Sequence, residues 1–293
     1  MSALAAAATE VDLSPRIILQ NPTANLTTTQ SRLAVSGTLR NAAVYVLNGE
    51  EYSGEKIERQ IDLVVGLNEL TIGLPEQPQM HKFKILRLSS FDDLQTEPAR
   101  DSIIAVATLG LMPGDYPRRF NPRRAVSRQE MAEVILRLQN NDRAQTWSGA
   151  FAAADLLSSD GILIGFPDGL LRPAGHLTKG QLALALARLL GLPLREPRQH
   201  SIVSREHWAD PAVAALADTA LYDSGDFSPR SATVSRAYLA VLLARLPQID
   251  ERIKALYFYE DLRLELPQRT NYWQRPRPEN DLLLFEEAAR GGR

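Results

Sequence analysis

One helix-turn-helix pattern occurs three times between residues 91 and 246, and it limits the fold more than any other feature of the chain. The copies carry Leu109-Gly110-Leu111-Met112-Pro113-Gly114, Asp160-Gly161-Ile162-Leu163-Ile164-Gly165 and Ala220-Leu221-Tyr222-Asp223-Ser224-Gly225. Each is followed by an apolar-x-Pro step: Phe120-Asn121-Pro122, Leu171-Arg172-Pro173 and Phe227-Ser228-Pro229. A hydroxyl-plus-basic pair comes next, at Ser127-Arg128, Thr178-Lys179 and Ser235-Arg236. With these anchors the third loop is four residues shorter between its glycine and its proline. Two short helices cannot bury an apolar stripe alone, so the copies are expected to stack into one pseudo-threefold unit. Leu182–Leu190, apolar on nearly every side, is the expected innermost helix.

Local chemistry gives the pattern its order. An apolar helix such as Ile103–Leu109 or Val213–Leu221 ends near a glycine able to adopt positive φ. After the proline turn, Ser127, Thr178 and Ser235 stand where N-caps are needed. Glu130 and Gln181 follow their caps by three residues, the capping-box spacing, whereas Tyr238 breaks it in the third copy.

The stretches Gly161–Pro173 ("G-x-x-x-G-F-P-D-G-x-x-x-P") and Phe120–Glu130 ("F-x-P-x-x-x-V-S-R-Q-E") resemble S-layer homology (SLH) modules, whose signature includes a T-R-A-E-like tetrapeptide. The resemblance covers about half the chain. It implies three modules around packed central helices, with intermodule grooves that bind secondary cell-wall polysaccharide or peptidoglycan-linked groups. Ser127-Arg128-Gln129-Glu130 keeps the basic and acidic members of the tetrapeptide. Thr178-Lys179-Gly180-Gln181 replaces Arg by Lys and loses the acid, and Ser235-Arg236-Ala237-Tyr238 ends in an aromatic. Lys is a point charge where Arg is a planar fork, so at most two grooves are expected to be fully competent. The opening Phe/Trp-x-Asp stands at Phe91 and Trp208 and is degenerate at Trp147. By this resemblance the glycan-binding residues are Arg128, Arg236, Lys179, Asp92, Asp210, Trp208, Gly114, Gly165 and Gly225.

Arg128, Lys179 and Arg236 occupy first helical turns, where the dipole does not favour a cation. Their recurrence points to an anionic partner, either a sugar carboxylate or an intermodule acid such as Asp92, Asp155 or Asp210. Arginines 118, 119, 123, 124 and 128, with Tyr116 and Phe120 interleaved, suit an acidic polymer or a solvated loop.

Before the repeat, from Arg16 to Ser90, the apolar pattern has period two and is cut by turn residues such as Asn48-Gly49 and Ser53-Gly54. It predicts antiparallel strands in a small sandwich with Val35, Val44, Val46, Leu63, Leu70 and Ile72 inward. Val35–Thr38, Val44–Gly49 and Leu63–Leu70 ("L-x-x-G-x-N-x-L") resemble bacterial Ig-like modules, which implies a spacer or contact domain.

Composition removes other classes. A net charge of −2 lacks the cationic excess needed to hold nucleic acid. No stretch approaches the roughly 20 apolar residues of a membrane span. The count of zero cysteines excludes disulfides, thiolate metal sites and cysteine nucleophiles. Gly161-x-x-x-Gly165 lacks the Gly-Lys-Ser/Thr ending of a phosphate loop. Asp223 and Asp226 are only a pair of acids, and His81, His176, His200 and His207 have no ligand spacing. No G-x-S-x-G elbow occurs, so neither catalysis nor a cofactor or metal is expected.

The expected fold class is therefore multidomain, an all-β Ig-like sandwich followed by an all-α pseudo-threefold SLH-like unit. Its expected divisions are 1–14 (flexible start or signal-peptide remnant, from the A-x-A pattern at Ala3–Ala8), 15–90, 91–146, 147–204, 205–247 and a docking tail, 248–293. The tail is apolar at Leu256–Tyr259 and Leu282–Phe285. The expected function is that of an exported, non-catalytic protein of the bacterial cell envelope, bound to cell-wall polysaccharide or peptidoglycan. Envelope proteins or further copies of the chain would meet its Ig-like domain and tail. The alternative is a structural subunit that uses the repeats for protein–protein assembly.

Overall fold

The computed structural model describes residues 14–75, 77, 80–139, 161–163, 166, 168–194 and 207–257. Two compact units divide between Leu88 and Ser89. The first contains β1 (Arg16–Asn21), β2 (Leu26–Thr28), β3 (Arg32–Arg40), β4 (Val44–Leu47), β5 (Glu50–Ser53), β6 (Lys56–Asp62), β7 (Gly66–Gly73) and β8 (His81–Arg87). One sheet has the order β1-β3-β6 and the other β2-β8-β7-β4-β5. Leu33, Val35, Leu39 and Ile57 of the first sheet share one core with Tyr45, Leu47, Leu70, Ile72 and Ile85 of the second.

Turn chemistry fixes the registers. Asn48 and Gly49 have φ of 51° and 86°, as a two-residue hairpin with two left-handed positions requires, and this pairs Leu47 with Glu50. Asn68 explains its own motif. Its side chain accepts from Val64 N at 2.9 Å and donates to Val64 O at 2.8 Å, tying down the turn before β7.

The face of β4 differs from expectation. Tyr45 and Leu47 are buried, while Val44 and Val46 are only half-buried. All four residues are apolar, so alternation could not choose the face, and the larger pair fills the core.

The helical unit holds α1 (Arg100–Thr108), α2 (Arg128–Leu138), α3 (Lys179–Leu189), α4 (Asp210–Asp218), α5 (Arg236–Ala244) and α6 (Pro247–Tyr257). Short 3-10 turns lie at Asp92–Leu94 and Ser224–Phe227. The expected first helix of the second copy, Trp147, Asp155 and His200 lie outside the described residues, as do residues 1–13 and the tail beyond Tyr257. All nine residues of α5 are buried, whereas Gln181, Leu184, Arg188 and Leu189 of α3 are partly exposed. The innermost described helix is thus α5, not α3. Ile249 and Ile253 of α6 are also fully buried, and Arg252 Nη2 donates to Leu138 O at 3.3 Å.

Two parts of the expected fold class are corrected. The repeat unit is not all-α, because the residue before each cap is extended and the three form a closed hydrogen-bonded ring. Val126 N donates to Val234 O, Leu177 N to Val126 O and Val234 N to Leu177 O, at 2.8–2.9 Å. Isolated bridges Ala125↔Ser235, Ser127↔His176 and Thr178↔Thr233 flank this ring. Sheet and helix are therefore mixed within the unit. The all-antiparallel Ig-like sandwich is corrected as well, since β2 pairs parallel with β8 through Leu26↔Ile85.

Candidate functional site

The ring brings each cap against the loop of the next copy, and all three seams use the same bonds. Ser127, Thr178 and Ser235 each accept the N–H three residues on, from Glu130, Gln181 and Tyr238 at 3.1–3.3 Å. Glu130 and Gln181 side chains also accept their cap's own N–H, completing two capping boxes. The first two helical N–H groups, orphans in an isolated helix, donate to the neighbouring loop. Arg128 and Gln129 reach Gly175 O and Pro173 O, Lys179 and Gly180 reach Ala232 O and Arg230 O, and Arg236 and Ala237 reach Arg124 O and Pro122 O. These bonds set the third copy's register one residue from the proline step, since Arg230 stands where Pro122 and Pro173 do. Ala220 (φ 57°) takes the left-handed place of Gly110 and Gly161, so the third loop is shorter by two residues rather than four.

The repeated cations also cross the seams. Arg128 Nε donates to Leu171 O at 2.8 Å, Lys179 Nζ to Ser228 O at 2.7 Å and Arg236 Nε to Phe120 O at 2.9 Å. Each faces an aromatic ring, with Arg128 5.1 Å from Phe166, Lys179 4.6 Å from Tyr238 and Arg236 4.3 Å from Phe120. All three side chains are closed off from solvent, with only 4% of Arg128, 9% of Lys179 and 4% of Arg236 exposed. Loop carbonyls from the next copy supply electronegative partners, where the dipole argument looked for a sugar carboxylate or an intermodule acid.

Acids cluster at the seam from the third copy to the first. Arg236 Nη1 lies 2.9 Å from Glu130 and 3.3 Å from Asp115, and Arg124 Nε lies 2.6 Å from Asp115. Arg124 also pairs with Glu130, and Asn121 Nδ2 donates to Asp115 at 2.9 Å. Burial raises the pKa of both carboxyls, but the Arg124 bonds lead the opposing effects, and Asp115 and Glu130 end below their usual range. Burial pulls the Arg236 guanidinium down, with Asp115 and Glu130 opposing.

A depressed folded pKa contributes stability above the unfolded value of about 4 and loses it as pH falls through the folded value. The melting temperature of the helical unit should therefore hold above about pH 5 and fall below about pH 4. Glu130→Gln should flatten part of that fall; an identical pH profile in the variant would remove Glu130 from the effect.

The remaining sequence candidates disperse. Asp92 makes an exposed pair with Arg118 at 2.7 Å, while Asp210 binds Arg230 at 3.0 Å and accepts from His207 N. Trp208 is 56% exposed and its ring lies tilted against His207 with centroids 5.0 Å apart, and Tyr116 is 66% exposed. A Cβ on Gly114 would stand 2.6 Å from the Phe91 ring, so that glycine is sterically required. Gly225 has open space where its Cβ would be, and Gly165 lies outside the described residues.

Two sets of residues were missed. Asp93 accepts Phe120 N at 3.0 Å and Asn121 N at 2.7 Å, clamping the first loop. The Phe-x-Asp spacing from Phe91 names Asp93 and not Asp92. The second set is Arg137, Arg188 and Arg245, each ten residues past its cap. Arg137 donates to Leu111 O at 3.2 Å, Arg188 to Ile162 O at 3.5 Å and Arg245 to Asp226 at 2.7 Å. Their threefold recurrence was the available signal.

The S-layer homology domain family matches residues 90–132 and 141–183. Domains of this family generally bind cell-wall polymers, which associates the chain with the cell surface. The third copy lies outside the matched stretches and joins them through the hydrogen bonds described above. Over 95 residues the chain is 32% identical to an uncharacterized cell wall amidase of Bacillus anthracis. That alignment takes in 31% of this chain and 18% of the relative, so the chain spans less than a fifth of that relative's length. Among the described residues no helix is long and apolar enough to cross a membrane.

Proposed function

We propose that the chain is an exported, non-catalytic protein of the bacterial cell envelope that attaches noncovalently to a cell-wall polysaccharide or peptidoglycan-linked group. The β unit is then the part offered to envelope partners or further copies of the chain. The observation that carries this reading is the coincidence of the two family matches with two arms of the hydrogen-bonded ring. Arg128, Lys179 and Arg236 shape the seams, and the exposed Trp208 ring is the glycan contact, with its apolar face ready to stack on a sugar.

Co-sedimentation with purified sacculi tests this. The wild-type chain should pellet with them, and Trp208→Ala should weaken the association by about tenfold, the usual scale for truncating a central aromatic contact. Equal binding by the variant would move the contact away from Trp208. Failure of the wild type to pellet would favour the second reading, a structural subunit of an envelope complex or filament. That reading draws on the burial of all three repeated cations within the fold.

A further inference from the structure

The three seams share their backbone bonds but not the groups that receive the crossing cation. The receiving groups stand at two positions of the repeat, one twelve residues before the cap and one three residues after it. In the first copy these are Asp115 and Glu130, and both receive Arg236. In the second copy the earlier position is Phe166, whose ring receives Arg128, while Gln181 caps its own helix. In the third copy the later position is Tyr238, whose ring receives Lys179.

We infer that these two receiving positions are the address by which each copy selects the cation of the copy before it, and so set the cyclic order of the unit. On this view Lys179 and Tyr238 are a matched pair, not two separate losses from the tetrapeptide. A compact ammonium seats over a ring and still reaches Ser228 O, whereas the planar fork of Arg236 spans two carboxylates and two carbonyls. Within one copy the cation and the fourth residue lie at i and i+2 on a helix, where side chains do not face each other. The fourth residue therefore answers to its neighbour's cation and not to its own.

A double-mutant cycle on the full chain reads this directly. Lys179→Met combined with Tyr238→Leu should show a coupling of about threefold or more in the unfolding equilibrium constant, the scale of a part-buried cation–ring contact. Arg236→Lys combined with Tyr238→Leu, which lie within one copy, should be additive to within about twofold, the usual agreement for non-interacting sites. Additivity in the first cycle, or equal coupling in both, would overturn the inference. Should Tyr238→Leu fail to fold, the ε-methylene protons of Lys179 decide the matter by NMR. In the wild type the ring current should shift them upfield of those of Lys254, which is exposed. Unshifted protons would reject Tyr238 as the receiver.

Discussion

Replacing Arg236 with alanine is expected to destabilise the helical unit by about 3–5 kcal/mol, the range for removing one partner of a buried ion pair. The guanidinium donates to Phe120 O, Pro113 O and Glu130, and lies 3.3 Å from Asp115. Alanine would leave both carbonyls without those donors in a place the solvent barely reaches. Arg124 would still pair with Asp115 and Glu130, which limits the loss. Arg236→Lys should be intermediate, since it keeps the charge but has no fork to span four acceptors. Arg118→Ala, which breaks an exposed pair with Asp92, should cost no more than about 1 kcal/mol. Urea unfolding of the three variants would order them, and an Arg236→Ala loss as small as that of Arg118→Ala would refute the closing role.

The sequence alone points the other way on this residue, and the reason is instructive. Ser127, Thr178 and Ser235 are legible as caps because capping is local, needing only a hydroxyl and an N–H three residues on. The offset of the following cation is equally legible. Its partners are not, because Phe120 O and Pro113 O are more than a hundred residues from Arg236 and carry no side-chain signature. The same limit hid the ring. Val126, Leu177 and Val234 look like ordinary apolar residues before a cap, yet each pairs only with residues of another copy. A helical period cannot announce one extended residue per repeat.

Where the sequence departs from its own repeat, the structure shows what took over. Ala220 holds a left-handed conformation that glycine holds in the other copies, and the buried Asp226–Arg245 pair braces the shortened third loop. The resemblance therefore located the unit while misplacing the third copy's register by one residue.

Tyr45→Asp is expected to unfold the β unit, because it combines two large losses at one position. Tyr45 is fully buried and its ring stacks on Tyr52 at 5.6 Å, so truncation alone should cost about 3–5 kcal/mol, as for other large core aromatics. A carboxylate placed between the two sheets adds either an unpaired buried charge or the work of protonating it, several kcal/mol more. Small domains have only about 5–15 kcal/mol of stability in total. The neighbouring Val46→Asp should be far milder, because Val46 lies half-buried on the opposite face of β4. Tyr45→Phe should cost little, since the Tyr45 hydroxyl is buried with no hydrogen-bond partner among the described residues. The three variants together test the face of the strand and not merely its presence. Amide NMR spectra would show which unit loses its dispersion, with signals from beyond Ser89 as the reference. Loss of the β unit in Val46→Asp with Tyr45→Asp tolerated would reverse the face of β4, placing Val44 and Val46 inward as the sequence reading expected.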